Sequence, residues 1–158
     1  IAAEFSFVAG LKLTSTPLIT TDINQAMFIF GQDEPLVASV DLSSNANILF
    51  VYSVGGSDYI TDTGLAVVAN REYHLKIKIN KHKKISIFIN GVQYGLTTTA
   101  YSSGNYGSTA TNSYDESVAM SNVSLYPVVG MQNSDSNTTA RSVIVNYIKC
   151  SRDSKKVS

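Results

Sequence analysis

Few side chains in this sequence are of a type that does chemistry, and their spacing limits what they can do. Cys150 is the sole cysteine, and His74 and His82 are the two imidazoles. A serine or cysteine nucleophile needs a base within hydrogen-bond reach, and no spacing marks a partner for either histidine. The runs "YHLKIKIN" and "INKHKK" place His74 on the outward side of a strand and His82 in a turn, so both read as exposed imidazoles. Cys150 reads as a small packed thiol near a strand end. The adjacent acids Asp33-Glu34 and Asp115-Glu116 would point to opposite sides of an extended chain. Glycosidic cleavage instead needs two carboxyl groups facing each other across roughly 5–9.5 Å. They read as turn residues, and no glycine-rich loop opens a helix to cradle phosphate. The expectation is that this protein is not an enzyme.

Metal ligation is weakly encoded as well. "NSDSN" offers Asn133, Asp135 and Asn137 at alternate positions, and Asp58 and Asp62 flank another turn. Calcium takes six to eight oxygens, so one or two carboxylates make a poor structural site. Asx turns account for the same letters. Neither a metal nor another cofactor is expected.

Two groups of residues suit binding. Tyr94, Tyr101, Tyr106 and Tyr114, with Tyr126 further on, lie in or beside a stretch rich in Gly, Ser and Asn. Tyrosine in that company supplies contact area at low entropic cost, although it also anchors loops onto their own scaffold. Lys76, Lys78, Lys81, Lys83 and Lys84, with Arg71 nearby, crowd onto one hairpin. That cluster reads either as a solvated face that discourages edge-to-edge pairing or as a dock for an acidic partner. No aromatic residues interleave the lysines at stacking spacing, which argues against single-stranded nucleic acid.

The elements that must position these residues are strands. Phe5, Phe7, Ala9, Leu11 and Leu13 alternate with small or polar residues, as do Leu36, Ala38, Val40 and Leu42. Ile48, Phe50, Tyr52 and Val54 oppose Leu49, Val51 and Ser53. Period two is the signature of strands, and "AMFIFG", apolar on both sides, reads as a strand deep in a sheet. No segment holds a 3.6-residue period. "GQDEP", "SSNAN", "VGGSD", "TDTG" and "NKHKK" read as turns, and Asn90-Gly91 as a type I′ hairpin. In the hairpin, Tyr73, Leu75, Ile77 and Ile79 face inward, as do Ile85, Ile87 and Ile89. His74, Lys76 and Lys78 face out. Residues 97–122 form one long connection, and such loops in compact domains are often functional.

The chain of 158 residues is long enough to bury a core as one domain, expected over residues 1–152 with a polar tail at 153–158. Lys plus Arg and Asp plus Glu number 12 each, so no net field draws in nucleic acid or an anionic membrane. No apolar run approaches the roughly 20 residues of a membrane span. The sequence opens on Ile1 without a charged stretch ahead of an apolar core, the start expected of a processed product, an excised domain or a chain whose true start is missing. The sequons at Asn122 and Asn137 fit chance in so Ser-, Thr- and Asn-rich a chain.

"TGLAVVANREYHLKIKINKHKKISIFINGVQYGL" resembles the middle of a concanavalin A-like (laminin-G-like) jelly roll. An aromatic-His-Leu strand start is followed there by a polar turn and an Asn-Gly hairpin. "SLYPVVGMQNSDSNTTARSVIVNYIKCSR" resembles that family's closing portion, a Pro-x-x-Gly strand, a loop and a last strand. The resemblance spans about residues 60–152, with Asn146 where the family often carries Asp. The Glu-x-Asp-x-x-Glu run of the family's hydrolases is absent from the sequence. The resemblance implies an all-β fold, a two-sheet antiparallel jelly-roll sandwich, in a family that mostly binds sugars, proteins or itself. Similar closing strands occur in phage and other viral structural proteins. The expected function is therefore a non-enzymatic viral structural protein of phage type, acting as a capsid decoration or as a fibre or adhesion module. Capsid or fibre proteins, sister subunits and host-surface glycans are the expected partners, on the virion surface. The alternative is a carbohydrate-binding module or lectin domain of a larger secreted or cell-surface protein.

Overall fold

The computed structural model describes residues 5–12, 25–31, 47–102, 107–108, 117–120, 125–133 and 142–151. All regular structure among them is β, in nine strands: β1 (Phe5–Lys12), β2 (Gln25–Gly31), β3 (Asn47–Val54), β4 (Ser57–Ala66), β5 (Leu75–Ile79), β6 (Ile85–Ile89), β7 (Val92–Tyr94), β8 (Gly107–Ser108) and β9 (Tyr126–Asn133). They form a six-stranded sheet in the order β8-β4-β3-β2-β1-β9 and a three-stranded sheet in the order β5-β6-β7. Every pairing is antiparallel except the two-residue contact of β8 with β4, which is parallel.

The two sheets share one core. From the large sheet come Ala26, Phe28, Phe30, Ile48, Phe50 and Tyr52, and from the small sheet Ile85, Ile87 and Ile89, joined by Leu96 and Met120. The alternation read in the sequence produces this, because even positions of β2 and β3 and odd positions of β6 turn to the same interior. Phe28 lies opposite Phe50 in the register, and their rings meet edge to face at 5.0 Å. Tyr73, ahead of β5, reaches across to Phe30 with centroids 5.3 Å apart. Burying one such side chain contributes about 1.5–3 kcal/mol, which makes this cluster the main clasp between the layers.

The middle of the large sheet, β2 and β3 with the adjoining Ile60 of β4, is buried on its second face too. Met27, Ile29, Leu49, Val51 and Ile60 are each at most 1% exposed. "AMFIFG" bears out its reading as a deep strand, and "ILFVYSV" goes the same way: its odd positions are as covered as its even ones. The apolar Leu49 and Val51 on the second side account for this, since a wet face would carry polar residues there.

Three turns match expectation, with "NKHKK" turning at residues 81–82. Gly55-Gly56 and Asn90-Gly91 all have positive φ, as two-residue hairpin turns of the I′ kind require. "TDTG" departs from it. Instead of a turn it lies inside β4 as an irregularity, with the β3–β4 register shifting between Asn47 and Leu49. Gly64 takes φ +70° and donates its N–H to Asp62 Oδ1 at 2.7 Å, while the Thr63 hydroxyl donates to Ile48 O at 2.7 Å. The residue types that make a turn also make a bulge. The expected last strand over "VIVNYIK" is not formed: residues 142–151 are exposed and have no ladder partner. Cys150 is consequently an exposed thiol, not a packed one. The expected strand 36–42, the turns "GQDEP" and "SSNAN" beyond their first or last residues, the acids Asp33-Glu34 and Asp115-Glu116, and the tail 153–158 lie outside the described residues.

Candidate functional site

The basic hairpin is held from several sides. Asn80 caps its first turn: the Asn80 carboxamide oxygen accepts N–H groups from His82 at 2.8 Å and Lys84 at 3.1 Å. The Asn80 backbone closes the same turn with Lys83 N–H at 2.9 Å and Lys84 O at 3.0 Å. Lys83 adopts φ +62° there, a left-handed conformation that costs a non-glycine residue roughly 1 kcal/mol. From outside the hairpin, Met120 N–H donates to Lys83 O at 2.9 Å, and the Ser117 hydroxyl accepts Ile85 N–H at 2.6 Å. At the other end Asn90 holds His74 twice, through its own N–H to His74 O and through Oδ1 from His74 N–H, both at 2.8 Å.

This scaffold presents Lys76, Lys78, Lys81 and Lys83 to solvent, with Lys84 half-buried. Lys76 lies opposite Phe88 in the β5–β6 register, and its ammonium stands 5.1 Å from that ring's centroid. Arg71 stands similarly at 5.7 Å over Tyr73. Such contacts add about 0.5–1 kcal/mol at exposed sites, so they orient the cations while leaving their charge outward. His74 and His82 are both exposed, as expected, and the Tyr147 hydroxyl contacts His74 Nε2.

The described residues of the connection after β7 are tied back to β3 and β4 of the large sheet. Tyr52, wholly buried in β3, donates its hydroxyl to Thr97 O and accepts Val118 N–H at 3.2 Å. One phenol thereby fastens both ends of the connection. Its ring stacks on Tyr59 at 4.8 Å. Burial pushes the Tyr52 hydroxyl up to about 12, with the Val118 N–H opposing and the charge of Tyr59 adding to the rise. Thr97 N–H also donates to Thr61 Oγ1 at 3.0 Å, and Tyr101 N–H to Asp58 O at 2.7 Å. Gly107 passes so close that a Cβ there would lie 2.3 Å from Thr97 Cβ.

The tyrosine candidates separate on this frame. Tyr94 is half-buried in β7 and packs against the core, which makes it part of the scaffold. Tyr101 is half-buried beside the Asp58 turn. Tyr106 and Tyr114 lie outside the described residues, as do Asp135 and Asn137. Tyr126 and Asn133 fall within β9. Asp62 accepts from Asn47 Nδ2 at 3.0 and 3.2 Å, and Asp58 accepts the Ser53 hydroxyl, so both acids serve local turns and strand pairing. Among the described residues no three of His, Cys, Asp and Glu gather to hold a metal ion, and no helix is long and apolar enough to cross a membrane.

The sequence reading missed Tyr52 as the fastening of the loop. The signal was present: a tyrosine on the inward side of "LFVYS" must bring a partner for its hydroxyl. No family model, curated protein or solved structure matches the chain.

Proposed function

We propose that this chain is a non-enzymatic structural module of a virus particle, a capsid decoration or fibre domain of phage type, on a concanavalin A-like jelly roll. Its lysine hairpin is the face that docks on an acidic neighbour. The observation that carries this reading is the construction of the hairpin. Four exposed lysines stand on a sheet whose basic turn is capped by Asn80 and pinned by Ser117 and Met120. A merely solvated face does not need its turn fixed from outside. In the six-stranded sheet the first strand lies beside the ninth, which supports the jelly-roll assignment. The test is composition of the particle: in washed virions of the encoding virus, the chain stays at fixed stoichiometry, and its absence after washing rejects the reading.

A second reading is supported by the loop base at Tyr52 and Thr97. A long connection tied at both ends onto a β scaffold suits a carbohydrate-binding module, with Tyr101 at its root. Binding on a glycan array at millimolar-range sensitivity by the folded chain tests it, and silence across the array counts against it.

A further inference from the structure

The outward positions of the small sheet hold one side chain that a repellent face does not need. In the register of β5, β6 and β7, Lys76 lies opposite Phe88 and Phe88 opposite Gln93, while Lys78 lies opposite Ser86. Ser86 is only 8% exposed. The accessible floor of this face is therefore the half-buried Phe88 and Gln93, bordered by the exposed Lys76 and Lys78. Lysines on an edge strand discourage pairing by themselves. Phe88 instead sits on the central strand, where a wet face would carry a polar residue. An aromatic group ringed by polar and cationic side chains is the make-up of an interface centre and its rim. The acids among the described residues are engaged elsewhere: Asp58 with Ser53, Asp62 with Asn47 and Glu72 with Asn146.

We infer that this face takes an extended acidic segment of a partner protein, with a carboxylate on Lys78 and an apolar or aromatic side chain on Phe88. The inference rests on the docking reading above and names what docks. Charge complementarity selects an acidic occupant, and spacing selects a polypeptide. Diagonal neighbours on adjacent strands, as Lys78 and Phe88 are, stand about 7–8 Å apart. Alternate side chains of an extended chain stand roughly 6.4–6.8 Å apart, so a carboxylate and an apolar group two residues apart reach both together. The polarity of the segment follows. Its acidic end lies toward the turn, where Lys81 and Lys83 are exposed, and its apolar residue lies farther along the ladder, beside Lys76. The Lys76 ammonium already stands over the Phe88 ring, 5.1 Å from its centroid. A cation there disfavours flat stacking of a sugar or a nucleobase on that side, whereas the rim of the ring still admits an edge-to-face contact.

Binding of the intact chain at low salt to a set of polyanions, compared at equal charge, tests this: polyglutamate, a glutamate–tyrosine copolymer, polygalacturonate and oligo-thymidylate. The inference predicts the copolymer bound on the order of tenfold tighter than polyglutamate, and tighter than the sugar and nucleic-acid polymers. Phe88→Thr, folded by circular dichroism, loses that preference and keeps the affinity for polyglutamate. Lys76→Gln combined with Lys78→Gln weakens binding of both polypeptides. Equal affinity for polyglutamate and the copolymer overturns this inference alone, as does a preference that survives Phe88→Thr. Polygalacturonate or oligo-thymidylate binding as tightly as the copolymer overturns the choice of a protein partner. Failure to bind any of these polyanions overturns the docking reading and this inference with it.

Discussion

Tyr52 is the residue on which the loop depends. Its hydroxyl serves Thr97 O and Val118 N–H at once, so Tyr52→Phe leaves two main-chain groups without that partner. A buried group left unsatisfied costs about 1–3 kcal/mol. Urea unfolding should show a loss of that size, with exchange quickened near Thr97 and Val118. The same burial makes a pH prediction. With the folded hydroxyl raised to about 12 against an ordinary value of about 10, the unfolded chain releases this proton first. The contribution of Tyr52 to stability is thus complete below about pH 10 and falls as pH rises toward 12. Ultraviolet titration at the phenolate band should show a tyrosine ionising near pH 12, and Tyr52→Phe should remove it. Gly107→Ala is the steric counterpart. Its Cβ meets Thr97 at 2.3 Å, so overpacking on the order of 1–3 kcal/mol should appear as a lowered midpoint.

At the scale of elements, the hairpin β5-β6-β7 carries the clearest link from letters to structure. Asn90-Gly91 sets the turn, and Gly91 at φ +81° makes Gly91→Ala cost about 1 kcal/mol or more. Asn80→Ala removes the acceptor of two turn N–H groups and should cost about 1 kcal/mol, with exchange speeding at His82 and Lys84. Both values are read from denaturation midpoints. The inward Ile85, Ile87 and Ile89 and outward Lys76 and Lys78 were legible because period two is strict there. Other features were not, and for physical reasons. Thr61–Gly64 has the composition of a turn, and only the pairing of β3 with β4 turns it into a bulge. The roles of Ser117 and Met120 depend on contacts across more than thirty positions that no local pattern records. "VIVNYIK" reads as a strand by propensity, yet propensity names no partner, and it lies unpaired.

The whole molecule is two β layers clasped through Phe28, Phe50, Ile85 and Ile87, balanced in total charge but cationic on one hairpin. The core sets stability: Phe50→Ala should cost about 3–5 kcal/mol by calorimetry or urea unfolding. The docking proposed here rests on the lysine face, and because that face is exposed, its charge is separable from the fold. Exposed charges act through a screened field, so docking should weaken as salt rises. The most direct measurement compares wild type with the fourfold variant Lys76→Glu, Lys78→Glu, Lys81→Glu and Lys83→Glu in co-sedimentation with virus particles, alongside circular dichroism. The predicted result is an unchanged β spectrum with the variant left in the supernatant, while wild type pellets at low salt and is released at high salt. A correctly folded variant that pellets as wild type does, at every salt concentration, would contradict the account.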